Sequence, residues 1–83
     1  MNKKYTVKND YDRCSYFVLS AETNLQEQLE QVFSIRKGYG FSLEYDEKTI
    51  RIIDYFHGET RASFEIVNIE ETNDEICYTQ QQL

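Results

Sequence analysis

At Gly40 the hydrophobic residues of this chain switch from a helical to a strand-like period, and that switch limits the folds open to it. Before it, Leu25, Leu29, Val32 and Phe33 fall at i, i+4, i+7 and i+8, which places them on one stripe of a helix. Gln26, Glu27, Gln28, Glu30 and Gln31 take the other faces. After it, Phe41, Leu43 and Tyr45 alternate with Ser42 and Glu44, and Ile50, Ile52 and Asp54 with Arg51, Ile53 and Tyr55. Ala62, Phe64 and Ile66 then alternate with Ser63, Glu65 and Val67, and Ile76-Cys77-Tyr78 follows. Turn formers at 46–48, 56–60 and 70–74 separate these runs into a meander. Upstream, 4–8 and 14–20 read as strands around the turn-rich 9–13, a loose hairpin. The order is ββαββββ, or βαββββ if the first strand is loose. The fold class is α+β: a single amphipathic helix packed on one face of a four- to six-stranded antiparallel sheet.

Thr23-Asn24-Leu25-Gln26 matches a capping box, with Thr23 as the cap and Gln26 reaching back. Arg36 and Lys37 suit the negative end of the helix and Gly38 a left-handed cap, so the helix is expected to stop near residue 37. With no proline in the chain, turns must rest on Gly, Asn and Asp. A length of 83 residues suits one domain over 1–83, with residues 80–83 a frayed polar tail. So short a chain buries only about 60% of its unfolded surface, which makes association worth expecting. One helix leaves the second sheet face open. Tyr16, Arg51, Ile53, Tyr55, Glu65 and Val67 are its candidates, and an apolar, aromatic face there would support a homodimer.

Charge is asymmetric. Residues 1–41 carry a net of +1 and residues 42–83 a net of −7, for −6 in all. Carboxylates so concentrated repel a phosphate backbone and attract a basic protein surface. Glu44, Asp46, Glu47, Glu65, Glu70, Glu71, Asp74 and Glu75, with Tyr55, are the candidate partner-binding residues. The corresponding function is a small acidic module that binds a basic protein partner, as an inhibitor, immunity protein or nucleic-acid mimic would.

Lys37-Gly38-Tyr39-Gly40-Phe41 resembles the first five positions of the ribonucleoprotein octamer of RNA-recognition motifs and, in related form, of cold-shock domains. That resemblance implies rings that stack on bases. Ser42 and Glu44 depart from the octamer, where an aliphatic and an aromatic residue are expected. Two glycines shaping a helix-to-strand turn account for the same residues. The alternative function is therefore single-stranded nucleic-acid binding through Arg36, Lys37, Tyr39 and Phe41, helped by Lys3, Lys4, Lys8 and Arg13.

His57 is the only histidine, and a catalytic role would need a nucleophile such as Cys77 brought to it by the sheet. No phosphate loop, nucleophile elbow or metal-ligand spacing is present, so neither enzymatic activity nor a cofactor or metal is expected. Cys14 and Cys77 read as reduced structural thiols. Without an apolar leader or a long apolar run, the expected location is cytoplasmic and no membrane partner is expected.

Overall fold

A computed structural model describes residues 1–36 and 38–83. The chain runs β1 (Asn2–Lys8), β2 (Cys14–Ser20), α1 (Leu25–Val32), β3 (Phe41–Tyr45), β4 (Thr49–Asp54), β5 (Glu59–Thr72) and β6 (Cys77–Gln82). All six strands form one antiparallel sheet in the order β3-β4-β5-β1-β2-β6. This is the expected ββαββββ order, one helix on one sheet.

The first hairpin is fully paired, from Asn2 opposite Ser20 to Lys8 opposite Cys14. Its turn is built on Asn9, whose side-chain oxygen accepts from the amides of Tyr11 and Arg13. The fourteen-residue β5 holds the sheet together, pairing with β4 through Glu59–Glu65 and with β1 through Glu65–Thr72. Two irregularities let it do so. Between Ile52 and Ile53 the partner on β5 jumps from Ala62 to Thr60, leaving Arg61 as an extra residue, and between Thr6 and Val7 it jumps from Asn68 to Ile66, leaving Val67 extra. Such bulges bend a strand and raise its local twist.

The core lies between α1 and one face of the sheet. Tyr5, Val7, Phe17, Leu19, Leu29, Val32, Leu43 and Ile50 are buried together, with Phe33, Phe64 and Tyr78 packed against them. A file of rings runs through it: Tyr5 stacks on Phe17 at 5.5 Å, Phe17 meets Phe33 edge-on at 5.9 Å, and Phe33 meets Phe64 at 4.8 Å.

The helix touches both outer strands, β3 and β6. In a flat six-stranded sheet those strands would stand roughly 24 Å apart, while an eight-residue helix is only about 12 Å long. The sheet therefore curls around α1. Gln26 donates from Nε2 to the Leu43 carbonyl on β3 (3.1 Å), and the Tyr78 hydroxyl on β6 donates to Gln28 Oε1 (3.0 Å). Each edge is thus tied to the helix, and on β3 the bond occupies a backbone carbonyl that an edge strand otherwise offers to another chain.

Four expectations need correction. The cap of α1 is Asn24, not Thr23: its side chain accepts from the Glu27 amide at 3.0 Å. The helix ends at Val32, not near 37, in a Schellman motif: the Ile35 amide bonds the Glu30 carbonyl and the Ser34 amide the Gln31 carbonyl, with Ser34 at φ 56°. Serine in the left-handed region is uncommon, so the sequence pointed to Gly38 instead. The polar tail is not loose, since β6 continues to Gln82, with Gln81 opposite Tyr16 and Gln82 opposite Ser15. Finally, Gln28 is not on an outer face of the helix; it is 2% exposed.

Candidate functional site

The open face of the sheet, read from the register, carries Lys4, Lys8, Arg51, Glu44, Glu65 and Glu70 around Tyr16, Val18 and Ile53. Tyr16, Arg51, Ile53 and Glu65 are there as expected, and the face as a whole is charged. Tyr55 is not on it but in the turn after β4, and Val67 is the bulge residue of β5. Register explains much of the charge asymmetry. Glu65, Glu70 and Glu71 of β5 lie opposite Lys8, Lys4 and Lys3 of β1, so the acidic second half is set against the basic start of the chain. Lys4 also holds its ammonium 4.5 Å from the centre of the Tyr16 ring.

The other acidic candidates are dispersed. Glu44 bonds Arg51 across the β3–β4 pair at 3.3 Å. Asp46 braces the turn between those strands: one carboxylate oxygen accepts from the amides of Lys48 (2.8 Å) and Thr49 (2.9 Å) and from the Thr49 hydroxyl (3.2 Å). Those bonds hold its carboxyl below the usual range, the Lys48 amide contributing most. Glu47 is exposed beside it, while Asp74 and Glu75 occupy the β5–β6 connection.

Asp54 organises the β4–β5 turn. Its carboxylate, on the core side at the end of β4, accepts from Arg61 Nε (3.2 Å) and Nη2 (2.8 Å) and from the amides of Phe56 and His57, and lies 3.0 Å from His57 Nδ1. The Arg61 guanidinium, then the His57 ring, hold this carboxyl well below the usual carboxylate range. Arg61 reaches it because the bulge on β5 redirects its side chain. The Asp-His pair has the look of an oriented general base, but Arg61 shares the same Asp54 oxygen. Cys77, the partner considered for His57, lies on β6, three strands across the sheet from β5. Among the described residues no cluster of His, Cys, Asp and Glu could hold a metal ion, and Cys14 and Cys77 are both free.

The same turn presents a surface that the sequence reading divided between two sets. Phe41, Tyr55 (73% exposed) and Phe56 (78%) gather at one end of the β3–β4 pair, and Tyr39 (70%) is exposed in the turn that leads into β3. The Tyr55 amide bonds the Gly40 carbonyl at 2.7 Å, which pins the 55–56 turn against the 38–40 turn. Tyr55 and Phe56 meet edge-on at 6.0 Å. Phe56 lies so close over Gly40 that a Cβ there would stand 2.7 Å from the ring, and φ at Gly40 is +87°. Between the rings runs a groove of about 360 Å³ lined by Phe41, Tyr55 and Phe56 with Ile35 and Glu30. Arg36 is exposed just upstream; Lys37, the other basic residue named for this surface, lies outside the described residues. Phe56 is the member that sequence reasoning missed, since in a turn it had no periodic partner.

A second groove, of about 330 Å³, opens between α1, β5 and the β3–β4 turn. Tyr5, Leu25, Leu29, Tyr45, Asp46, Glu47, Ile66 and Ile69 line it.

Compared with protein-family models, curated proteins and solved structures, the chain gave no match. Among the described residues no helix is long and apolar enough to cross a membrane.

Proposed function

We propose that this protein is a non-catalytic binding module that takes a basic, apolar-anchored segment of a partner protein into the groove lined by Phe41, Tyr55 and Phe56, beside the exposed Tyr39. The observation that carries the reading is the gathering of three rings, Phe41, Tyr55 and Phe56, around one groove, with Tyr39 exposed in the adjoining turn, on a chain of net charge −6. Exposed aromatic rings gathered in one place are costly in water and are what binding hot spots are made of. Ring faces accept Lys and Arg side chains, the groove accepts an apolar neighbour, and the net negative charge steers a basic segment toward the module. Arg61, beside the groove's turn, is engaged by Asp54 and so opposes such a segment less than a free cation would.

Peptide-display selection on the wild type, counter-selected on a Tyr55→Ser/Phe56→Ser variant, tests this directly. Enriched peptides should pair Lys or Arg with an apolar residue and shift the amide resonances of Tyr39, Phe41, Tyr55 and Phe56. Acidic peptides, or peptides indifferent to the two substitutions, would overturn the reading. Stacking of a single-stranded oligonucleotide on the same rings, with peptides inert, would transfer the surface to nucleic acid through Arg36, Tyr39 and Phe41.

A further inference from the structure

The edge strand β3 has a hydrogen-bonding order that its pairing with β4 reveals. The Gly40 carbonyl accepts from the Tyr55 amide (2.7 Å), and the Asp46 amide donates to the Thr49 carbonyl (3.0 Å). Between these two bonds the register is unbroken, from Phe41 opposite Asp54 to Tyr45 opposite Ile50. In an antiparallel pair, residues that bond the neighbouring strand alternate with residues that face away from it. Gly40, Ser42, Glu44 and Asp46 therefore direct their backbone groups to β4, and Phe41, Leu43 and Tyr45 turn theirs to the free edge.

Leu43 shows what that edge accepts. Its carbonyl takes Gln26 Nε2 at 3.1 Å, so a side-chain amide of α1 stands where the peptide amide of a further strand would stand. The same nitrogen donates to Glu30 Oε2 at 3.3 Å. Glu30 is in turn the one charged residue, among those described, that lines the aromatic groove, and Phe41, the first residue of β3, lines it too. Groove and free edge are continuous through Phe41. The opposite edge of the sheet lacks this order: β6 meets β2 with a break in register between Tyr16 and Val18, and its Thr79 carbonyl is taken by its own Gln81 Nε2 (3.3 Å) and Cys77 Sγ (3.4 Å). Such irregularity keeps an edge from pairing.

We infer that the aromatic groove takes its partner segment in extended form, as a seventh strand added to the free edge of β3; the inference rests on the function proposed above. The segment's backbone bonds Phe41 and, by displacing the Gln26 amide, Leu43, while an apolar side chain enters the groove against Phe41, Tyr55 and Phe56. Displacement exchanges one N–H···O bond for another and so costs little. Main-chain bonds then give affinity and the groove gives selectivity. Carboxylates lie at both ends of the path, Glu30 in the groove and Asp46 and Glu47 just beyond Tyr45, which complements a basic segment. Seven extended residues span about 23 Å, enough to run the length of β3 and enter the groove.

The test is an amide-resonance titration of the full chain with the capped heptapeptide acetyl-Thr-Lys-Val-Arg-Val-Lys-Thr-amide. It should saturate below about 1 mM and slow hydrogen exchange of the Phe41 amide about ten-fold, leaving the Ser42 amide, already bonded to β4, unchanged. N-methylation of the peptide at its even-numbered residues and, separately, at its odd-numbered ones should abolish binding in one case and leave it within about two-fold in the other, since only alternate amides face the edge. Gln26→Ala, which frees the Leu43 carbonyl, should tighten the peptide about three-fold, and replacing its Lys and Arg by Glu should weaken it about ten-fold. Binding that is lost in Tyr55→Ser/Phe56→Ser but is indifferent to both methylated sets would overturn the inference and leave the proposed function standing. No saturation by the peptide would overturn both. Protection of the Phe41 amide that grows with protein concentration in the absence of peptide would overturn it in favour of a second copy of the chain on the same edge.

Discussion

Tyr78 donates its hydroxyl to Gln28 Oε1 across 3.0 Å, joining the edge strand β6 to the helix fifty residues earlier in the chain. The same Gln28 oxygen accepts from the Ser20 amide (2.8 Å), and its Nε2 donates to the carbonyls of Ser20 (3.0 Å) and Thr23 (3.1 Å). Every donor and acceptor direction of one buried side chain is used, and the pattern allows only one orientation of the amide.

Tyr78→Phe removes one neutral hydrogen bond while leaving Gln28 Oε1 with Ser20, so it should cost about 1 kcal/mol. Gln28→Ala orphans the Ser20 amide beneath the helix and leaves a void, and should cost about 2–3 kcal/mol. Urea unfolding of both single variants and of the double variant should give a coupling energy of about 1 kcal/mol. Additive losses would mean that the two groups do not interact.

Asp54 should make the protein acid-sensitive. Its folded carboxyl is held below the unfolded value by Arg61 and His57, so its stabilising effect is complete above the unfolded value, about 3.9, and is lost as pH falls from there toward the folded value. Tm should decline below about pH 4. In Asp54→Asn that decline should be shallower and the Tm at pH 7 lower, with the remaining acid dependence reduced again by Asp46→Asn, whose carboxyl is shifted in the same direction. Parallel pH profiles for wild type and Asp54→Asn would rule out this role.

Ser34 occupies the left-handed position of the helix-ending motif at φ 56°. Ser34→Gly should relieve that strain and raise stability by about 0.5–1 kcal/mol in chemical denaturation. By the same logic Gly40→Ala, at φ +87° and facing the Phe56 ring, should lower stability by about 1–2 kcal/mol and shift the Tyr55 and Phe56 resonances. Gly38→Ala, at φ +85° but with open space around it, should cost less and leave those resonances in place.

The register of β1 against β5 sets Lys4 opposite Glu70. Lys4→Glu should therefore destabilise by about 0.2–1 kcal/mol, both through like charge on the sheet and through loss of the contact with Tyr16. Adding Glu70→Lys should restore the part due to register but not the part due to the ring. Thermal melts at low and high salt separate the two, since only the first is strongly screened.

Periodicity is a local property, and everything it governs could be read from the chain alone. The stripe from Leu25 to Phe33 specified a helix, the alternations after Gly40 specified strands, and their order specified one helix on an antiparallel sheet, because burying such faces leaves few other arrangements. The polar, turn-rich stretch at 9–13 likewise marked the first hairpin. Partnership between distant residues is not local. No pattern along the sequence sets Lys3, Lys4 and Lys8 against Glu71, Glu70 and Glu65, because the register of β1 against β5 is a long-range pairing that shifts at the Val67 bulge. Gln28 reads as one more polar residue on a helix face until the curled sheet brings Ser20 and Tyr78 around it. The rings at 39–41 and 55–56 were visible as residues, but only the pairing of β3 with β4 and the bond from Tyr55 to Gly40 make them one surface. Sequence determined the elements and their buried faces; the tertiary structure, by closing contacts across tens of residues, decided which charges cancel, which polar group is buried and where the molecule can bind.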